Sequence, residues 1–215
     1  MSENADRKGS SRFDAGAAGW DANAARKAVS NANARVFGEI IASLPHKPDL
    51  FDYGCGTGQS ILPVASKCRS VTGCDFSEPM LEKFRENAEA ARVRNASTIL
   101  CDLRTDPLPQ GRYDMITCAM TLHHVADVAA LVSTFSLLLR PGGTLALVDL
   151  EKEDGSFHED HTTVAHFGFD KEEILAALRD AGFADAAVRT IHKVVKPRGT
   201  KMAEYPLFLA TGKLA

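Results

Sequence analysis

Beyond Pro45 and Pro48 the chain alternates short apolar runs with longer amphipathic ones. The short runs, residues 50–53, 71–74, 98–101, 115–118 and 144–149, each have the length of a buried strand. Between them, residues 61–67, 79–92 and 128–139 carry apolar positions at helical spacing. Ser77 can cap the second of these helices, Pro79 is tolerated in its first turn, and Pro141-Gly142-Gly143 stops the third. Strands alternating with helices predict β-α units around a parallel sheet. Ahead of them, residues 13–44 are alanine-rich with few breakers, and Ile40, Ile41 and Leu44 give their end an apolar stripe, so one or two N-terminal helices are expected. Residues 1–12 have almost nothing to bury and predict a mobile tail.

The end of the chain has another rhythm. Asp170 at a cap position and Glu173 three residues later form a capping-box pattern, which opens a helix running through Arg179 and closing at Gly182. Two strand-like runs follow, 187–195 and 205–211, separated by the turn-forming Lys196-Pro197-Arg198-Gly199. With no helix between them they pair antiparallel, so the last strand enters the parallel sheet in the opposite direction. The expected fold is one Rossmann-like α/β domain: a seven-stranded mixed sheet with an antiparallel last strand, helices on both faces and an N-terminal helical extension.

Composition narrows the class. Of 215 residues, 45% are hydrophobic and 25% charged, ordinary globular values that exclude wholesale disorder, collagen and coiled coil. No apolar stretch approaches the length of a spanning helix, and no apolar run follows the N-terminal charges, so neither a membrane span nor a secretory signal is expected. A net charge of -3 provides no global field for a polyanion, so nucleic acid is not the expected partner. The five cysteines, odd in number and without CxxC spacing, read as reduced thiols of a cytoplasmic protein.

Candidate chemistry sits just after the first strand, in Asp52-Tyr53-Gly54-Cys55-Gly56-Thr57-Gly58-Gln59. Glycines there let backbone N–H groups approach a ligand. A dinucleotide fingerprint needs glycine where Gln59 stands, and a phosphate loop needs Gly-Lys-Ser/Thr where the chain reads Gly58-Gln59-Ser60. An acid two residues before G-x-G-x-G suits instead a ligand with an amino-acid end and no phosphate. Asp75 ends the second strand, where a carboxylate can accept both ribose hydroxyls, and Asp102 follows the third, where it could receive an adenine amino group. Three acids at the carboxyl ends of consecutive strands face one crevice. Taken singly, the same residues also read as a tight turn and helix caps.

These segments, LFDYGCGTGQ, GCDFSEPML, the CDL after the third strand, YDMITCAMTLHHV and LLRPGGTLALVDL, resemble the class I S-adenosylmethionine-dependent methyltransferases, over nearly the whole chain from Phe13 onward. The resemblance implies S-adenosyl-L-methionine as methyl donor and S-adenosyl-L-homocysteine as product. It implies that Asp52, Gly54, Gly56 and Gly58 line the methionine end, that Asp75 holds the ribose, and that Phe76 packs by the adenine. Asp102 and Leu103 would bind the adenine edge, with Cys118 and Ala119 beside the sulfonium. Within the family, the chain looks most like the small-molecule branch that includes ubiquinone and menaquinone methyltransferases. The Asn-Pro-Pro-Tyr/Phe type of motif used on amino groups of bases is absent, since the corresponding place reads Thr117-Cys118-Ala119-Met120. The implied division is a helical cap over 13–45, a cofactor-binding core over 46–150, an acceptor-side insertion over 151–169, and the last helix with its antiparallel strands over 170–215.

Histidines supply the candidate acceptor-side groups. His123 and His124 follow the fourth strand, and His158, His161 and His166 lie between the fifth strand and the capped helix. Both segments belong on the carboxyl-end side, so His124, His161 and His166 are the expected acceptor-side residues, with His124 a base or orienting donor. Their plain alternatives are a helix start and a solvated loop. The spacing, without cysteine or H-x₃-H, does not predict a metal. Phe13 and Trp20 read as a lid or as ordinary helix packing, and the basic run Arg189, Lys193, Lys196, Arg198 and Lys201 reads as a solvated face. The expected function is methyl transfer to a small-molecule acceptor; an RNA or protein methyltransferase and a non-catalytic S-adenosylmethionine-binding regulator are the alternatives.

Overall fold

The computed structural model describes residues 10–215. Helix α1 (Ser10–Gly16), a 3₁₀ segment (Ala17–Ala22) and α2 (Ala24–Ser43) precede the sheet. The sheet then builds as β1 (Asp49–Tyr53), a 3₁₀ segment (Leu62–Lys67), β2 (Ser70–Asp75), α3 (Glu78–Ala90), β3 (Ala96–Leu100), β4 (Tyr113–Ala119), α4 (Val128–Leu138) and β5 (Leu139–Leu150). Helix α5 (Lys171–Asp180) and the long hairpin β6 (Phe183–Arg198) and β7 (Lys201–Leu214) complete it. Strand order is β3-β2-β1-β4-β5-β7-β6. The first five strands are parallel, while β7 runs antiparallel to both β5 and β6, the expected mixed sheet.

Period-two alternation sends neighbouring side chains to opposite faces. Leu50 and Met115 join Phe37, Ile61 and Phe84 under α2 and α3, whereas Phe51 and Ile116 join Phe135 and Leu178 under α4 and α5. Both faces are therefore covered, and each fully buried Phe or Leu contributes about 1.5–3 kcal/mol. Tyr53 pairs with both Cys74 and Cys118, so β1, β2 and β4 end level. Strand order reverses between β1 and β4, which opens a crevice at that end of the sheet.

Four local expectations change. Residues 61–67 form a 3₁₀ segment: the bonds that close there, Val64 to Ile61 and Cys68 to Ala65, span three residues. Asp170 precedes α5 but makes no side-chain cap bond, since its carboxylate goes to Lys152 Nζ at 2.7 Å. Helix α4 stops at Leu138, and Pro141–Gly143 already belong to β5. Of the expected tail, residues 1–9 lie outside the described residues, and the helix starts at Ser10 rather than after Arg12.

Candidate functional site

A cavity of about 520 Å³ lies at the carboxyl ends of β1, β2 and β4. The glycine loop forms its floor, and each glycine does something different. A Cβ on Gly54 would overlap the Thr121 side chain, so Gly54 lets the loop after β4 close against β1. A Cβ on Gly58 would stand 2.7 Å from Phe84, so Gly58 seats the loop on α3. At Gly56, φ is +51° and a Cβ would meet nothing within 4 Å: backbone there faces the open cavity.

Asp75 lines the cavity and braces the loop. Its Oδ2 accepts from Gly56 N at 2.9 Å and its Oδ1 from Ser77 N at 2.9 Å, while burial raises its pKa against those bonds. Asp52 is buried beneath the loop and accepts from Thr117 Oγ1 at 2.6 Å. Burial, with the Asp75 charge nearby, pushes its pKa up to about 7. Asn33 of α2 also lines the cavity, with its Oδ1 buried and without a hydrogen-bond partner among the described residues. A buried acceptor left unmade costs about 1–3 kcal/mol, so this oxygen is placed to accept from whatever fills the cavity.

The N-terminal segment roofs this floor. Ser77 Oγ donates to Asp14 Oδ1 and Thr57 Oγ1 to Asp21 Oδ1, each at 2.6 Å, and Asn87 Nδ2 reaches both Asp21 Oδ2 and the Thr57 carbonyl. Phe13 stands edge-on to Phe76 at 5.7 Å and to His124 at 5.2 Å between centroids. Phe13 and Trp20 thus roof the cavity rather than pack elsewhere on the body of the domain.

The far wall is histidine. His123 and His124 sit in a single turn after β4, their rings 4.1 Å apart, and His158 comes within 4.9 Å of His123. His123 Nδ1 is 2.7 Å from Asp149 Oδ1, both residues buried, so the imidazole gives Nδ1–H to a carboxylate at the end of β5. Burial alone would raise Asp149, but the adjoining His123 and the N–H bonds from His123 and Leu150 hold it below its ordinary value. His124 Nδ1 lies 2.6 Å from the Thr163 carbonyl. A carbonyl only accepts, so the proton is on Nδ1 and the lone pair on Nε2. Burial, then the neighbouring His123, lowers the His124 pKa to about 4 and keeps it neutral. His158 falls to about 3 for the same two reasons, with His124, Lys196 and Arg12 adding to them. Among the described residues no group of His, Cys, Asp or Glu is arranged to hold a metal ion.

Of the residues expected at the site, Gly54, Gly56, Asp75, Phe76, Ala119 and His124 line the cavity. Asp52 and Cys118 are buried behind that lining, and Gly58 packs on Phe84. Asp102 and Leu103 do not line it: Arg104 grips both Asp102 oxygens, with Nη2 to Oδ2 at 2.6 Å, and Tyr53 OH donates at 3.3 Å. His161 and His166 also stand outside. His161 Nε2 goes to the Gly155 and His158 carbonyls and ties the 151–169 segment together, while His166 Nε2 goes to those of Val125 and Ala126 and fastens that segment to the loop before α4. His123 with Asp149, and His158, take the places expected for them; the strand-end position of Asp149 was the one sequence signal for the first pair. Met120, left-handed at φ +54°, and Lys196 and Arg198 from the hairpin also line the cavity.

A family model described as a methyltransferase domain matches residues 50–143. Over 160 residues the chain is 30% identical to a ubiquinone biosynthesis O-methyltransferase of Marinobacter nauticus, covering 72% of this chain and 67% of that one. It is 28% identical over 197 residues to a 27-O-demethylrifamycin SV methyltransferase of Amycolatopsis mediterranei, covering 86% and 72%. The fold matches magnesium protoporphyrin IX methyltransferase of Synechocystis with bound SAM at a TM-score of 0.63 and 19% identity, covering 89% of this chain and 80% of that one.

Proposed function

Since the chain belongs to the class I S-adenosylmethionine-dependent methyltransferases, we propose that it transfers the methyl group to a small-molecule acceptor enclosed between the glycine loop, the N-terminal roof and the histidine wall. The observation that carries this reading is one roofed cavity of about 520 Å³ with a nucleoside-type floor at one end and neutral imidazoles at the other. Relatives named for rifamycin and ubiquinone chemistry point the same way. An RNA or protein chain would need an open groove in place of the roof.

The residues fit the methyl donor. Asp75 offers carboxylate oxygens to ribose hydroxyls, Phe76 a ring to adenine, the Gly54–Gly56 backbone an approach without Cβ, and Asn33 Oδ1 an unmet acceptor. Asp52, buried without a cation among the described residues, would take on its negative charge when an ammonium sits above it. When bound, S-adenosylmethionine supplies a methyl on a sulfonium, open to in-line displacement by an acceptor lone pair. The roof excludes water, and the histidine wall sets the acceptor's orientation. His124 Nε2, its lone pair fixed by the Nδ1 bond to Thr163, receives the proton the acceptor releases, while Asp149 orients His123 beside it.

Calorimetry with S-adenosylhomocysteine, NAD and ATP, followed by labelled-methyl turnover on phenols, quinols, thiols and amines, tests the reading. Micromolar adenosylhomocysteine binding and turnover of a small acceptor are expected. Binding without turnover of any acceptor would favour a regulator, and salt-dependent RNA binding would favour a polymer substrate.

A further inference from the structure

Part of the basic run expected on a solvated face turns inward. Lys196 and Arg198 of β6 line the acceptor end of the cavity, together with Arg12 of α1 and Arg26 of α2. Lys196 Nζ stands 3.5 Å from the centroid of the Phe157 ring and donates to the Phe157 carbonyl, while the Arg26 guanidinium lies 3.9 Å from that of Trp20. Arg198 Nε donates to Tyr205 OH at 2.9 Å. Ring faces, a carbonyl and a phenol satisfy the donors, while Glu159, with Glu153 for Lys196 and Asp154 for Arg198, acts on the charges only from beyond ion-pair reach. Among the described residues only Arg12 has a carboxylate within ion-pair reach, Asp160 at 3.4 Å, and one acid, Glu159, lines this end.

The outward cations of the same hairpin behave differently. Lys193 pairs with Glu204 at 2.7 Å, Arg189 with Glu39 at 3.4 Å, and Lys201 is exposed at the turn. The inward ones act on each other: burial, then Arg198 and Arg26, lowers Lys196, and burial, then Arg12, lowers Arg26. Lys196 and Arg198 are half-buried while Arg12 and Arg26 stay exposed, and like charges gathered this closely repel each other and attract an anion. His158 links this group to the reaction wall, lying near His123 and within the field of Lys196 and Arg12.

Resting on the methyl-transfer reading above, we propose that the acceptor is an anionic small molecule whose carboxylate or phospho group is anchored by Arg26, Lys196 and Arg198, with Arg12 at the edge, while its nucleophilic atom faces His123 and His124. A cavity of about 520 Å³ under a helical roof suits a single compact molecule rather than a polymer. The negative floor and the positive far end then give the two substrates opposite addresses in one cavity.

The test titrates the full chain, saturated with S-adenosylhomocysteine, with benzoate, phenylphosphonate and the neutral benzamide by calorimetry. At least one anion is expected to bind about tenfold or more tightly than benzamide, and the two anions between them tell a carboxylate anchor from a phospho anchor. Lys196→Gln, which keeps a donor for the Phe157 carbonyl, and Arg26→Gln should each weaken the anion about tenfold, leaving adenosylhomocysteine within twofold. Lys201→Gln should change nothing. Equal affinity for benzamide, no binding of either anion, or equal effects of Lys201→Gln and Lys196→Gln would overturn the anchor. An oligonucleotide displacing the anion would overturn the small-molecule assignment. Failure of adenosylhomocysteine itself to bind would sink the methyl-transfer reading instead, and anion titration of the ligand-free protein would still report on the cations.

Discussion

Strand β1 carries an aspartate near each end, and their surroundings drive them in opposite directions. Asp49, at the amino end of the sheet, accepts from Arg69, Ser70 and Arg140, and Asp114 beside it stands in ion-pair contact with Arg140 at 2.8 Å. Its Arg69 partner above all holds Asp49 down at about 2. Asp52, three residues on, meets one hydroxyl and no cation among the described residues, and burial drives it up to about 7. The same contrast separates the cations: Arg69 and Arg140 are answered by acids, while Arg26, Lys196 and Arg198 have no carboxylate within ion-pair reach among the described residues. One end of the sheet uses charge to hold strands in place; at the other, Asp52, Arg26, Lys196 and Arg198 have no ion-pair partner among the described residues.

Neutralising Asp52 gives the largest expected effect. Its folded pKa of about 7 lies above the ordinary 3.8, so the folded state prefers the protonated acid; that contribution is complete below pH 3.8 and is lost as pH rises through 7. By pH 8 the buried carboxylate costs on the order of 4 kcal/mol. Asp52→Asn keeps an acceptor for Thr117 and should therefore gain stability over the parent as pH rises from 5 to 8, read by urea unfolding at each pH. Parallel pH profiles would mean that Asp52 is already ionised in the folded protein at pH 5 and that burial does not raise its pKa.

Asp75→Ala is expected to weaken adenosylhomocysteine binding by about 2–4 kcal/mol through lost charge-assisted bonds. Because the carboxylate also holds Gly56 N and Ser77 N, the ligand-free melting temperature should fall as well. An unaltered dissociation constant in a folded variant would reduce Asp75 to a brace. His124→Ala should lower turnover about 10²-fold with adenosylhomocysteine affinity within twofold. His161→Ala and His166→Ala, outside the cavity, should keep turnover within a few-fold, and a loss comparable to His124→Ala in either would move the acceptor site toward the 151–169 loop.

The smallest effect belongs to the paired end. Arg140→Ala should cost about 1 kcal/mol, reduced by salt, since these pairs are partly exposed. Asp49 has the opposite sign to Asp52: its contribution is present above pH 3.8 and is lost as pH falls toward 2. Thermal scans at low and high salt that show no difference for Arg140→Ala would mean that this network only fills space.

The sequence by itself determined what depends on neighbours a few residues apart. Two-residue and 3.6-residue periods set the strands and most helices; G-x-G-x-G after a strand set the loop, and Asp75 at the next strand end set the ribose candidate. A hairpin without a crossover helix set the antiparallel ending. Even there, 61–67 closed as 3₁₀ and a lysine from a distant loop took Asp170 away from its cap. Only the tertiary structure decided who answers each charge. Nothing local distinguishes His124 from His161 or His166; which one reaches the cavity follows from Thr163, Val125 and Gly155 carbonyls brought up by the chain's path. Asp149 meets His123 across 26 residues, and Arg12 reaches Asp160 across 148. Lys196 and Lys193 stand three residues apart on β6, so alternation sends them to opposite faces, and only the closed structure shows which face meets Phe157 and which Glu204. Side-chain electrostatics depends on burial and on distances between remote segments, and a linear pattern carries neither until the sheet has closed.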